Sequence, residues 1–338
     1  MREPPDLTEA TLIGVVEAEY GIPVRSLTFL PLGADSASSA YIVQAMDGTI
    51  TFLKLRAFHG FRSSSLLVPL YLHEQGVPHL LPPLPTIAHA SWVMVNDFAL
   101  SLFPFVEARM GAEAGLSERQ WAELGAAVKQ IHSIQLPSDL IPAVPREAFI
   151  PSRREVIEQL QDAIESNAIS DAVQDELAGF WKSRREDIHI LVERANALGS
   201  FLREASPSLV LCHADLHTWN ILLDSSEHFW LVDWDETTLA LKERDLMFVI
   251  GGIGRGLVSP KETQCFLQGY GEADIDSKAL TYYRYAWAVQ DMGAYGEQVF
   301  FSPGLGEASR GDALKGFLSL FEPGNIVDIA FGSESITQ

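Results

Sequence analysis

His213, Asp215, His217 and Asn220 fall within one short stretch, Leu211-Cys212-His213-Ala214-Asp215-Leu216-His217-Thr218-Trp219-Asn220. Thirteen residues after Asn220 stands Asp233, in Leu231-Val232-Asp233-Trp234-Asp235. An apolar run over 221–223, a turn-like 224–227 and a second apolar run lie between them. This is the layout of a catalytic loop followed by a two-stranded ribbon that ends in a metal-binding carboxylate. The chemistry it suits is phosphoryl transfer from a nucleotide to an alcohol. Asp215 would orient and deprotonate the hydroxyl, a light task because the transition state is loose and position and electrostatics dominate. Asn220 offers a neutral oxygen and Asp233 an anionic one, both hard donors of the kind Mg²⁺ prefers. His213 is expected to hold the loop by hydrogen bonds. A transition-metal site at His213, Asp215 and His217 lacks a second cluster to complete four ligands.

Other elements must supply the nucleotide. Residues 27–32, 41–45 and 50–55 alternate as short strands, and Asp47-Gly48 between the last two is a strong hairpin signal. Lys54 sits in the third strand on the face opposite Leu53 and Leu55. That face is either solvated or turned into a cleft. The downstream motif favours the cleft, where the ammonium would meet the α- and β-phosphates. Strands are also expected over 92–97 and 100–106, and the connector at 101–108 offers Phe103 and Phe105 as walls for a purine. The opening helix spans 7–20 with Thr8 as its cap. A helix over 64–75 contains Pro69, which should interrupt it, kink it or mark its first turn.

From Leu116 onward the period changes. Ser117 and Gln120 form a capping box, and Trp121, Leu124, Val128 and Ile131 form one apolar stripe. Helices follow over 153–164, 171–181, 188–202, 263–270 and 279–300, interrupted by a β island at 209–235. The division expected is a β-rich nucleotide-binding lobe at 1–100, a hinge at 101–108 and a helical lobe at 109–338, with the ligand in the cleft between. Asp245, in Glu243-Arg244-Asp245-Leu246, either accepts backbone bonds from the catalytic loop or caps a helix. Asp291 and Trp287 on the long helix, with Asp235, are the acidic and aromatic groups expected to meet a cationic acceptor.

The formal net charge is −21, and residues 1–100 hold 5 basic and 9 acidic side chains, so the surplus of acid lies in the later two thirds. Such a field repels nucleic acid and anionic lipid and attracts cations. A nucleotide therefore needs local basic groups and a metal ion. Cys212 and Cys265 alone support neither a disulfide framework nor a cysteine metal site. The opening is polar and carries no apolar signal segment, and no stretch reaches membrane-spanning length. A cytoplasmic protein without nucleic-acid, membrane or obligate protein partners is expected.

The combination of His213-Ala214-Asp215 through Asn220, Val232-Asp233-Trp234-Asp235 and Glu243-Arg244-Asp245-Leu246 resembles the aminoglycoside phosphotransferase and choline kinase family. The likeness runs over nearly the whole chain, through Lys54, Asp245-Leu246-Met247-Phe248 and Tyr270-Gly271 to residues 325–331. It implies an α+β, protein-kinase-like fold of two lobes, with a small antiparallel sheet lobe and a larger, mainly helical lobe. It also implies an ATP-dependent, Mg²⁺-requiring phosphotransferase acting on a hydroxyl of a small cationic aminocyclitol or aminoglycoside antibiotic, spectinomycin first. Asp215 becomes the catalytic aspartate, Asn220 and Asp233 the magnesium ligands, Lys54 the phosphate contact, and His213 and Asp245 supports of the loop. Two alternatives stay open: a kinase for another small alcohol (an amino alcohol, a methylthio-sugar or a macrolide), or an idle nucleotide-binding protein of the same fold. Related enzymes pair the strand lysine with a glutamate on the next helix, yet no Asp or Glu occurs from residue 55 to 73. Lys54 is then expected to be held by nucleotide phosphate alone, by Asp35 from the preceding loop, or by nothing.

Overall fold

Alternation along 50–57 sets the first part of the structure. In the strand Ile50–Ala57, Leu53 and Leu55 are fully buried, and the intervening Lys54 and Arg56 point to the other face. The computed structural model describes residues 5–31, 37–302 and 304–333. Its contacts divide the chain into two units: residues up to Pro145 together with His213–Thr238, and Arg146–Cys212 together with the chain from Leu239 on.

The first unit opens with helix α1 (Glu9–Tyr20), whose Thr8 cap accepts from the Thr11 N–H at 3.1 Å as the sequence predicts. Strands β1 (Val24–Leu30), β2 (Ser38–Ala45) and β3 (Ile50–Ala57) follow. Helix α2 (Ser64–Glu74), β4 (Val93–Val95) and β5 (Phe98–Pro104) complete a five-stranded antiparallel sheet in the order β1-β2-β3-β5-β4. The β2–β3 turn is the expected one: Asp47 accepts from the Thr49 N–H at 2.9 Å, and Gly48 takes φ 91°. Leu12 and Val16 of α1 pack with Leu27, Tyr41, Val43, Leu53, Leu55, Leu100 and Leu102. Each such leucine contributes about 2 kcal/mol by burial. Pro69 lies inside α2 and does not end it; its side chain is buried within an otherwise continuous helix.

Residues 101–104, expected both in the strand over 100–106 and in the connector at 101–108, belong to β5, where Ser101 lies opposite Lys54 and Phe103 opposite Phe52. The strand β6 (Ala108–Met110) then pairs with Ile221–Asp224, which pairs in turn with Phe229–Leu231. The capping box forms at Ser117, and the Gln120 amide donates to the Glu227 carbonyl at 2.7 Å, tying the helix Glu118–Ser133 to the ribbon turn. Gly111 allows a close approach: a Cβ there would lie 3.0 Å from the Thr218 carbonyl oxygen and 2.9 Å from Leu116.

The second unit is helical. Its centre is the helix Ser277–Phe300, with Tyr282, Tyr283, Tyr285, Trp287, Val289 and Met292 buried. Helices Arg154–Glu165, Arg185–Ala205, Glu307–Ser319 and Ile326–Gly332 pack around it. Small residues permit this: a Cβ on Gly296 would meet Leu160 at 2.3 Å, and one on Gly199 would meet the Phe149 carbonyl at 2.2 Å. A small antiparallel sheet lobe and a larger, mainly helical lobe are the protein-kinase-like arrangement. No helix among the described residues is long and apolar enough to cross a membrane.

Candidate active site

Lys54, Asp215, Asp233 and Asp235 fall in the first unit, whereas Asp245 and Asp291 fall in the second. The loop is built by His213, which is 1% exposed. Its Nδ1 lies 3.3 Å from the Asp215 N–H, and its Nε2 lies 3.1 Å from the Val232 carbonyl oxygen. One ring therefore accepts from the loop and donates to the segment that carries Asp233, which assigns the Nε2–H tautomer. Trp234 covers it, with ring centroids 4.5 Å apart. His213 thus bridges the loop and the segment of Val232 by hydrogen bonds.

Asn220 closes the loop from its other end. Its amide nitrogen donates to the Asp215 carbonyl oxygen at 2.9 Å and to Asp215 Oδ2 at 2.8 Å. The Val232 N–H donates to the Asn220 carbonyl at 3.0 Å, which fixes Asp233 one residue further on. The second Asp215 oxygen, Oδ1, lies 3.2 Å from His217 Nε2. Burial pulls the His217 imidazole down, but its contact with the Asp215 carboxylate prevails and holds it above the ordinary histidine range. Ala214 and Asp233 take φ 68° and 63°, left-handed values that cost a non-glycine residue about 1–2 kcal/mol. These bends lie beside the two carboxylates that matter, and the bonds just described hold them.

Lys54 is not idle. Its ammonium lies 3.0 Å from Asp233 Oδ1 and 2.9 Å from Asp235 Oδ2, and Arg56 Nη1 lies 2.6 Å from the same Asp235 oxygen. Burial acts to lower the Lys54 pKa, yet Asp233 and Asp235 raise it above the ordinary lysine value. Burial likewise pushes the Asp233 carboxyl up, but the charges of Lys54 and Arg56 prevail and hold it down to about 2. The expectation that Lys54 is held by nucleotide phosphate alone, by Asp35 or by nothing is corrected. Asp233 and Asp235 do so, from 179 and 181 residues away. Asp35 lies outside the described residues. Asp235, expected on the acceptor side, belongs with Lys54 and Arg56. Arg56 was missed, although its place two residues after Lys54 puts it on the same face of β3.

The donor set fits a hard divalent cation. No hydrogen bond among the described residues uses the Asn220 amide oxygen, because both of its side-chain bonds use the nitrogen. The Asp233 side chain is 46% exposed and ionised. A neutral and an anionic oxygen joined through Val232 are ligands suited to Mg²⁺.

The remaining predicted residues divide. Phe103 is half-buried and sits 6.4 Å from Phe52, centroid to centroid; Phe105, beyond β5, is also half-buried. Asp245 is buried in the short helix Glu243–Leu246, where its charge helps to raise the Cys212 thiol pKa, behind burial itself. Trp287, expected to meet an acceptor, is 6% exposed and packs edge-on against Phe248 with the Arg244 guanidinium over its ring. It is a core residue, because four-residue spacing on a central helix serves packing. Asp291, one turn on, is half-buried.

Comparison with known proteins agrees with this geometry. Residues 55–282 match the phosphotransferase enzyme family. Protein StrN of Streptomyces griseus is 26% identical over 228 residues, covering 65% of this chain and 67% of its own. The crystal structure of spectinomycin phosphotransferase with ADP and spectinomycin is 31% identical, with a TM-score of 0.86 over 97% of this chain and 99% of that one. Amicoumacin kinase, 16% identical with a TM-score of 0.63 over 95% of both chains, shares the fold. The chain belongs to the phosphotransferase enzyme family, and it is an ATP-dependent enzyme of protein-kinase-like fold that phosphorylates a small hydroxylated molecule.

Proposed function

We propose that the protein transfers the γ-phosphoryl group of ATP to a ring hydroxyl of an aminocyclitol antibiotic, with spectinomycin as the first candidate. The observation that carries this reading is the closed loop in which Asn220 clamps the Asp215 carboxylate while Val232 fixes Asp233 beside it. The 31% identity to a spectinomycin phosphotransferase over nearly the full chain supports the choice of acceptor.

Asp215 receives the hydroxyl proton as the acceptor oxygen forms its bond to phosphorus and the bond to ADP breaks. The Asn220 amide holds one carboxylate oxygen, so the other, Oδ1, is the natural base. It is also the oxygen that His217 approaches. Lys54 exchanges part of its contact with Asp233 for phosphate oxygens. Asp233 and the Asn220 amide oxygen would hold a Mg²⁺ ion, which would neutralise charge on the triphosphate. Phe103 and Phe105 serve the nucleotide base; the loop-supporting part of Asp245 is carried over from the family resemblance alone, and the acceptor part of Asp291 from the sequence alone. A diamino acceptor suits a chain of net charge −21.

Acceptor profiling tests the reading. Phosphorylation of spectinomycin at micromolar to low millimolar concentration is expected, with ADP released one for one. ATP hydrolysis with no transfer to spectinomycin would move the assignment to another small alcohol. Binding of ATP without transfer to any alcohol would make the protein an idle relative.

A further inference from the structure

We infer that Asp235 is the positioning carboxylate for Lys54, taking over from the strand side the task that no residue of α2 performs, and that Arg56 keeps Asp235 in place. The inference rests on the reading that this site binds nucleotide phosphate.

Four charges alternate in one chain of contacts. Asp233 meets Lys54 at 3.0 Å, Lys54 meets Asp235 at 2.9 Å, and Asp235 meets Arg56 at 2.6 Å. Lys54, Asp235 and Arg56 have side chains only 16–18% exposed, whereas Asp233 is 46% exposed. The outer link is therefore the one a ligand can reach, and the inner two are sheltered. Asp233 would give up part of its contact with Lys54 if it took up a divalent cation with the nucleotide. An ammonium with that single partner would have to break its only ion pair to receive a phosphate, and would then swing freely. Asp235 removes both difficulties, because it keeps Lys54 aimed while Asp233 changes partners.

Arg56 has a matching part. It lies on the same face of β3 as Lys54, and its Nε also donates to the Gly60 carbonyl at 3.3 Å. The guanidinium thus anchors the Asp235 oxygen that Lys54 shares, and it compensates a carboxylate that would otherwise repel phosphate. Helix α2 offers no substitute: its one acid is Glu74, the exposed last residue. Because Asp233 and Asp235 are two residues apart, the metal ligand and the lysine support move as one piece.

The test uses the full chain and ADP as the probe, with and without Mg²⁺, by calorimetry, alongside KM and kcat for ATP and melting temperature. Asp235→Asn should weaken metal-free ADP binding about tenfold or more, the scale for removing one partner of a sheltered ion pair. It should raise KM for ATP while leaving spectinomycin saturation unchanged. Asp235→Glu should recover part of the loss, and Arg56→Gln should act in the same direction by less. ADP binding by Asp235→Asn equal to wild type overturns the inference. So does an equal loss toward ADP and spectinomycin with a lowered melting temperature, which would mark a structural role alone. Wild type that binds no ADP overturns the reading of the site as a whole, and this inference with it.

Discussion

The loop His213–Asn220 and the helix Ser277–Phe300 both concentrate ionisable and aromatic side chains, and they use them in opposite ways. In the helix, Tyr282, Tyr283, Tyr285 and Trp287 are all buried, and burial raises the Tyr282 and Tyr283 phenols above their ordinary range. Shape holds them. In the loop, His213 and Asn220 are just as sheltered, but each is fixed by named bonds to backbone and carboxylate, while Trp219 is 46% exposed. Regular spacing gave a core, and irregular spacing gave a site.

The sharpest test of that contrast is Asp215→Asn. It removes a proton acceptor and keeps a side chain of the same shape for the Asn220 amide to meet. We expect kcat to fall about 10³-fold, within the range for losing a general base, with ADP affinity near wild type. Steady-state kinetics beside calorimetry decide it, and a rate near wild type would remove Asp215 from the chemistry. Trp287→Ala is the counterpart in the helix. It should cost about 3–5 kcal/mol of stability by opening a cavity, with KM of the folded fraction unchanged. A shift in spectinomycin KM without a loss in denaturation midpoint would turn that helix face into a binding surface and break the contrast.

Asp233→Ala comes next. It takes away both the proposed anionic metal ligand and the exposed partner of Lys54, so Mg²⁺–nucleotide binding should weaken about tenfold to a hundredfold. Metal-free ADP should be affected much less, since Asp235 still holds the lysine. Titrations at several Mg²⁺ concentrations check this, and an unchanged magnesium dependence would exclude Asp233 as a ligand.

How much of this was legible depended on the range of the interaction. The alternation that buries Leu53 and Leu55, the Asp47-Gly48 turn and the Ser117 capping box are local, and the sequence states them directly. The pairing of Lys54 with Asp235 spans 181 residues and leaves no periodic trace. The same holds for the division of the chain. Residues 213–238 join the sheet-containing unit because their ribbon pairs with β6 and with Leu80, and neither contact shows in local pattern. Pro69 neither ends α2 nor lies in its first turn, for a different reason. A proline well inside a helix removes one N–H, and the burial of its own side chain and of Leu66, Val68 and Leu72 around it offsets that loss. The left-handed backbone at Ala214 and Asp233 had no compositional mark at all, since neither residue is glycine.

The smallest effect is a pH dependence carried by His217. Its imidazole is held above the ordinary value of about 6.5 by Asp215, so the charged pair stabilises the fold fully below that value. The contribution is lost as pH rises through the raised folded value, and it should amount to about 1 kcal/mol or less, as for a partly exposed ion pair. The same proton bears on the chemistry, because His217 approaches the Asp215 oxygen that Asn220 leaves available. A charged His217 occupies that oxygen with an N–H; a neutral His217 that presents an unprotonated Nε2 leaves it to the hydroxyl. Transfer should therefore rise with pH, and His217→Gln should flatten the rise while lowering stability only on the acid side. Profiles of kcat and of denaturation midpoint between about pH 6 and pH 9 separate the two effects. A glutamine variant with the wild-type slope would show that the pH response originates elsewhere, and would leave His217 with no role beyond its contact with Asp215.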